Sequence, residues 1–194
     1  TRSLCDWSSD VCSSDLMSVH DELEFPWLRE EKDCVKLAVA RGRSVLGVCL
    51  GAQLLSEVLG GHVTKNTHRE IGWFPVKLTP WGASCPAFAG VPAGFTAFHW
   101  HGETFSVPRG AVLAASSEAC VNQAFAVGAK LVGLQFHLET TAESMEDLTV
   151  GGVDDLVPGP YVQTVEEMRA GGERHLAGMK QVLARLLDNM AREI

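Results

Sequence analysis

Apolar residues recur along this chain in two rhythms, and each change of rhythm marks an element. Pro26-Trp27-Leu28 opens a helical segment that runs to Ala40, with Leu28, Val35, Leu37 and Val39 as its buried positions and Arg41-Gly42-Arg43 as its end. Ser44 to Val48 is short, apolar and β-branched at Val45 and Val48, which predicts a buried strand. Gln53 to Leu59 reads as a helix closed by Gly60-Gly61, because glycine takes the left-handed conformation past a helix end without a Cβ penalty. Val63 to Leu78 carries short strands around Glu70-Ile71-Gly72-Trp73, and the Pro- and Gly-rich stretch from Thr79 to Gly94 reads mainly as a loop. Ala93–His101, Ala111–Ser116, Gln123–Val127 and Lys130–His137 follow as strands.

Past Glu139 the character changes. Thr141 to Pro160 is acidic and broken by Gly151-Gly152 and Pro158-Gly159-Pro160, as a surface crossing near the site would be. A short helix is predicted over Thr164–Ala170 and a longer one over about Glu173–Arg192. The longer one spaces Leu176, Met179, Leu183, Leu186, Leu187 and Met190 as a helical stripe that packs on the sheet, or alternatively docks a partner. Strands alternating with helices predict an α/β fold around a central, mostly parallel sheet.

Candidate chemistry sits at the ends of two of these strands. Cys49 lies between Gly47 and Gly51 where a strand turns sharply into a helix, the logic of a nucleophile elbow. There the helix N-terminus favours an anion, and the Leu50 N–H points toward an oxyanion formed on a carbonyl that Cys49 attacks. The bland reading of Cys49 is a small buried hydrophobe. Far downstream, His137 ends another apolar strand and Glu139 lies two residues on, so both can face one side. A carboxylate holding one ring nitrogen leaves the other free to face a thiol, which is the pattern of nucleophile, base and orienting group. His99 and His101, also two apart, invite a metal. A zinc site needs three or four ligands, however, and no Cys-x-x-Cys or His-x-x-x-His accompanies them, so no metal and no cofactor is expected. The expected arrangement has His101 near the substrate and His99 packed or exposed.

The runs Gly47-Val48-Cys49-Leu50-Gly51-Ala52-Gln53, Arg69 to Trp73, His99 to Phe105, Ser117 to Phe125 and Gly133 to Glu139 together resemble a class I glutamine amidotransferase. The similarity is to the free-standing group related to the glutaminase domain of GMP synthase, and it spans about Met17 to Thr141. The resemblance implies a three-layer flavodoxin-like architecture and a reaction. Cys49 attacks the side-chain amide carbon of glutamine, His137 protonates the leaving ammonia, and water activated by His137 hydrolyses the thioester. It also implies a glutamine pocket lined by Gly51, Gln53, Gly102 and Glu103, and an ammonia acceptor or synthase partner on another chain. A γ-glutamyl hydrolase with the same three residues, or a domain that binds without turnover, are the competing readings.

Residues 1–16 follow neither rhythm, lack the basic and apolar regions of a signal peptide, and from Asp6 to Leu16 resemble the translation of a sequencing-library adapter. Excluding them, Met17-Ser18-Val19 resembles the end of a Gly-Gly-Pro-Met loop that supplies a second oxyanion N–H in the family. Neither the matching glycines nor the opening strands precede it. The expectation is therefore an N-terminally truncated domain over 17–194, with unpaired strand edges and one oxyanion donor missing, a loss worth about 100- to 1,000-fold in turnover.

Composition narrows the rest. The 194 residues suit one domain with an ordinary hydrophobic share of 46%. The net charge of −8, without basic clusters, argues against nucleic-acid and anionic-membrane partners. Cys34, Cys49, Cys85 and Cys120 show no paired spacing, which suits thiols in a reducing cytoplasm.

Overall fold

The strand predicted before Cys49 and the helix after it form one rigid corner of the fold. In a computed structural model describing residues 17–192, α1 (Trp27–Ala40) leads into β1 (Val45–Val48), and α2 (Leu50–Val58) begins directly after Cys49. The calls on residues 1–16 lie outside the described residues. Gly60, just past the end of α2, takes φ +85° as the C-terminal signal required. The helix starts three residues earlier than its apolar spacing indicated, since Leu50 and Gly51 carry no periodic signal of their own.

The remaining strands are β2 (Val63–Leu78), β3 (Gly94–Phe105), β4 (Val112–Ser116), β5 (Ala124–Val127) and β6 (Leu131–Leu134). They form one six-stranded sheet in the order β1-β6-β5-β4-β2-β3. The α/β class holds, but the sheet is not mostly parallel among the described residues. Only β1 and β6 run parallel, with Val45 opposite Leu131 and Val48 opposite Leu134. All other pairings are antiparallel. The reason lies in the connections: β4, β5 and β6 follow one another through short turns, and a short turn can only reverse a chain. The short strands expected around Glu70 are one 16-residue strand, irregular in register between Lys65 and Glu70.

Helices cover both faces, giving three layers. On one side α1 and α2 bury Leu28, Leu54 and Leu55 against Phe105 and Phe125. On the other, α5 (Val165–Ala191) buries Met168, Met179, Leu186 and Met190 against Trp73, Phe98 and Val132. The predicted stripes hold except at Leu37 and Leu187, which are 49% and 46% exposed. α5 is one 27-residue helix where two were predicted. Gly171-Gly172 does not break it, because the Trp73 ring lies where a Gly171 Cβ would project and its Nε1 donates to the Met168 carbonyl at 2.9 Å. Tertiary packing there outweighs glycine's local cost of about 1 kcal/mol. Two further helices escaped the pattern. α3 (Pro80–Ser84) is capped by Thr79 inside the expected loop, and α4 (Ala142–Gly151) starts on a Thr141–Ser144 capping box inside the acidic crossing.

Candidate functional site

The corner between β1 and α2 is strained at one residue. Cys49 has φ +50° and ψ −110°, and it alone among the described non-glycine residues has a positive φ. Such a backbone costs about 1–3 kcal/mol and persists only where the surroundings over-determine it. Here they do: the Cys49 N–H donates to the Leu134 carbonyl at 2.7 Å, extending the β1–β6 ladder by one step. Gly47 lets α2 fold back closely, because a Cβ there would meet the Gly51 carbonyl. Leu50 is the first helical residue, so its N–H has no acceptor within its own helix.

The same parallel pairing delivers the histidine. Because Val48 lies opposite Leu134, the residues just beyond β6 emerge beside the residues just beyond β1. The His137 N–H donates to the Phe98 carbonyl at 2.8 Å, and its ring comes near enough to the Cys49 sulfur to interact with it electrostatically. His137 Nδ1 lies 2.6 Å from Glu139 Oε1, while the other Glu139 oxygen accepts the Leu138 N–H at 2.9 Å. The two residues expected to face one another therefore do. Burial pushes the His137 ring toward its neutral form, but the Glu139 carboxylate and the Cys49 sulfur outweigh it and hold its pKa well above 6.5. Burial pushes Glu139 up, and His137 with the backbone amides overcomes this to hold it below 4.5.

These directions set a pH window. The Glu139 contribution is present above 4.5 and is lost as pH falls through its lowered folded value. The His137 contribution is present below 6.5 and is lost as pH rises through its raised folded value. Wild type is therefore expected to exceed Glu139→Gln in melting temperature by most between about pH 4.5 and 6.5, with the gap closing on either side. Thermal melts of both proteins across pH check this, and a gap that does not vary with pH would refute the pairing.

A small cavity of about 20 Å³ beside the thiol is lined by Met17, Cys49, Leu50, Gln53, His101, Gly102 and Glu103. Of the residues expected around a substrate, Gln53, Gly102 and Glu103 are brought to Cys49. Gly51 is not among the lining residues. It sits one position into α2, beyond the first amide. A larger groove of about 400 Å³, between β3 and α5, is lined by residues such as Phe95, His175 and Arg185. It contains neither Cys49 nor His137, whereas Cys49 lines the smaller cavity.

Behind that cavity is a buried polar cluster that sequence reasoning saw only in part. Glu70, opposite His101 in the β2–β3 register, places Oε2 3.2 Å from His101 Nε2 and 3.4 Å from His99 Nδ1. The Gln123 amide nitrogen donates to the same oxygen at 2.5 Å, and Ser117 Oγ donates to it at 3.1 Å. Burial pushes the His99 pKa down to about 3, so that ring is neutral. The pKa of Glu70, which burial pushes up, is pulled below 4.5 by the two imidazoles. One ligating atom from each of Glu70, His99 and His101 falls within 4.8 Å of the others, the reach of a metal site. The Gln123 amide, however, occupies the space facing all three, at 3.4 Å from His99 Nδ1 and 3.5 Å from His101 Nε2. His99 Nε2 also has no partner, whereas a metal-ligating histidine ordinarily donates its other N–H. Internal contacts thus occupy Glu70 Oε2, His101 Nε2 and His99 Nδ1, while Glu70 Oε1, His99 Nε2 and Gln123 Oε1 have no partner among the described residues. His101 Nδ1 lies 3.1 Å from the Glu103 carbonyl, which ties this cluster to the cavity lining.

Glu70 and Gln123 gave no local signal, since their partners lie 31 and 53 residues away. Gln135 was legible in principle: in the strand predicted over Lys130–His137 it lies two positions before His137 and so on the same side, although β6 itself ends at Leu134.

A thiol on a strained strand-to-helix turn, near an imidazole held by a carboxylate, is the arrangement that nucleophilic catalysis by a cysteine requires. The chain belongs to the class I glutamine amidotransferase family, whose model matches residues 21–149. It is 33% identical over 165 residues to the glutamine amidotransferase-like protein YfeJ of Salmonella typhimurium, covering 84% of this chain and 68% of that one. It is 31% identical over 151 residues to a glutamine-hydrolyzing GMP synthase of Bacillus cereus, covering 75% of this chain but 29% of the synthase. The solved structure of a glutamine amidotransferase from Thermotoga maritima superposes with a TM-score of 0.81 at 32% identity, over 91% of this chain and 75% of that one. One from Methylobacillus flagellatus gives 0.81 at 30% identity, over 91% and 73%. No helix among the described residues is long and apolar enough to cross a membrane.

Proposed function

We propose that the chain hydrolyses the side-chain amide of glutamine to glutamate and ammonia. The observation that carries this reading is the placement of Cys49, at φ +50°, against the His137–Glu139 pair. In this mechanism the Cys49 proton resides on His137, and the thiolate attacks the amide carbon. The oxyanion that forms is met by the Leu50 N–H at the helix start. Collapse of the tetrahedral species breaks the C–N bond, and His137 returns the proton to the departing ammonia. A water that gives its proton to His137 then attacks the thioester, releasing glutamate and the thiol. Glu139 holds the ring upright through both steps and stabilises the imidazolium formed in each.

Gln53, Gly102 and Glu103 line the cavity where the amide end of the substrate sits, with Gly51 in the supporting turn. The described cysteines are free thiols, which supports work in a reducing cytoplasm. The family's GMP synthases unite glutamine hydrolysis with a synthase, and this chain matches 29% of one of them. Ammonia made here would accordingly be passed to an acceptor that consumes it.

Incubation with glutamine should release glutamate and ammonia in equal amounts. Faster turnover of γ-glutamyl amides than of glutamine would transfer the assignment to a γ-glutamyl hydrolase, and no turnover of either would refute both.

A further inference from the structure

A buried pair of glutamines stands behind the nucleophile, and no part of the reaction above uses its inner member. Gln135 follows β6 directly, is wholly buried, and is pinned by its own N–H, which donates to the Gln123 carbonyl at 2.8 Å. Its side-chain nitrogen lies 3.7 Å from Cys49 Sγ, and its side-chain oxygen accepts a bond from Gln53 Nε2 at 3.3 Å. Gln53, on the first turn of α2, is itself 3% exposed and lines the cavity. The Trp100 carbonyl lies 3.9 Å from the sulfur.

We infer that Gln135 is a catalytic residue: its amide, oriented by Gln53, donates to Cys49 Sγ and supports the thiolate that attacks the substrate. The inference rests on Cys49 being the nucleophile. The orientation follows from what each atom can do. A thiolate accepts hydrogen bonds only, and the Trp100 carbonyl offers it none, so the Gln135 amide is the donor that stands beside the His137 ring at the sulfur. Reversing the Gln135 amide would set its oxygen against the negative sulfur and its nitrogen against the Gln53 nitrogen. Gln135 approaches the sulfur from the buried side, where an N–H directed at an anion acts more strongly than it would in solution. The relay also connects the cavity to the sulfur, because Gln53 lines the cavity and bonds Gln135, whose amide reaches the sulfur.

Alkylation of Cys49 by iodoacetamide tests this directly, followed by peptide mass spectrometry with the exposed Cys34 as an internal reference. Gln135→Leu is expected to react at Cys49 about tenfold more slowly than wild type near pH 7, and to converge with it at high pH, where the thiol is ionised without help. Cys34 should be unchanged. Gln53→Leu should give a smaller loss in the same direction, since the donor remains but its orientation does not. Should Gln135→Leu fail to melt cooperatively, Gln135→Glu keeps the shape, removes the amide donor and is expected to slow Cys49 likewise. Equal Cys49 rates in wild type and the folded variants would overturn the inference, and a purely space-filling role for Gln135 predicts that equality. The comparison reads one sulfur and does not depend on turnover. Loss of the alkylation difference therefore refutes the relay, whereas absence of glutamine hydrolysis in wild type refutes the proposed function.

Discussion

Cys49→Ala is expected to lower glutamine hydrolysis by roughly 10⁵-fold or more, to a rate indistinguishable from buffer, with the fold intact. The size of the effect follows from the chemistry. In the proposed reaction the sulfur is the atom that bonds to substrate, and neither His137 nor Leu50 can replace it. Intactness follows because the side chain is only partly buried and its backbone bond to Leu134 does not involve the sulfur. Replacement by glycine separates two roles of the position. Cys49→Gly should lose the same activity yet gain about 1 kcal/mol of stability, because glycine adopts φ +50° without the penalty that cysteine bears. Ammonia release and thermal melts on both variants check this. Retained turnover in either would remove Cys49 from its role, and a lower melting temperature for the glycine variant would show that the turn is unstrained.

The second large effect is structural and comes from a residue with no side chain. Gly47→Ala is expected to cost about 3 kcal/mol, lowering the melting temperature by roughly 6–12 °C in a domain of this size. The added Cβ would meet the Gly51 carbonyl, which is backbone and cannot rotate aside. Nor can α2 withdraw easily, because Leu54 and Leu55 are buried under α1 and the helix start is bonded to β6 through Cys49. The relief available is a shift of the helix start away from β1, and that moves Cys49 and Leu50 relative to His137. Turnover should therefore fall along with stability. A melting temperature within about 1 °C of wild type would show that the turn tolerates a side chain there.

Both expectations start from the same seven-residue run, Gly47 to Gln53, and show how local and distant information divide. Wherever an element depends on its own residues and their immediate neighbours, the pattern of the chain was sufficient. That holds for α1, β1, the glycine stop after α2, and the short strands β4 to β6. It holds too for the pairing of His137 with Glu139, since two residues on one side of an extended segment meet by geometry alone. Capping residues were equally local, and α3 and α4 were missed because Thr79 and Thr141 were not weighed against the proline, glycine and acidic residues around them.

What the chain determined by itself was thus the alternation of strands and helices, the sharp turn at Cys49 and the identity of the reactive groups. Those follow from side-chain chemistry and from periodicity within a few residues. Only the tertiary structure decided strand direction, since hydrophobic periodicity is the same in parallel and antiparallel strands while the lengths of the connections and the packing of the layers are not. It alone continued α5 through Gly171, where the Trp73 ring fills the space a side chain would occupy. It alone joined Glu70 to His99, His101 and Gln123, and Gln53 to Gln135, across separations of 22 to 82 residues. Buried polar groups must find partners wherever the fold brings them, and that requirement leaves no mark on the residues beside them in sequence.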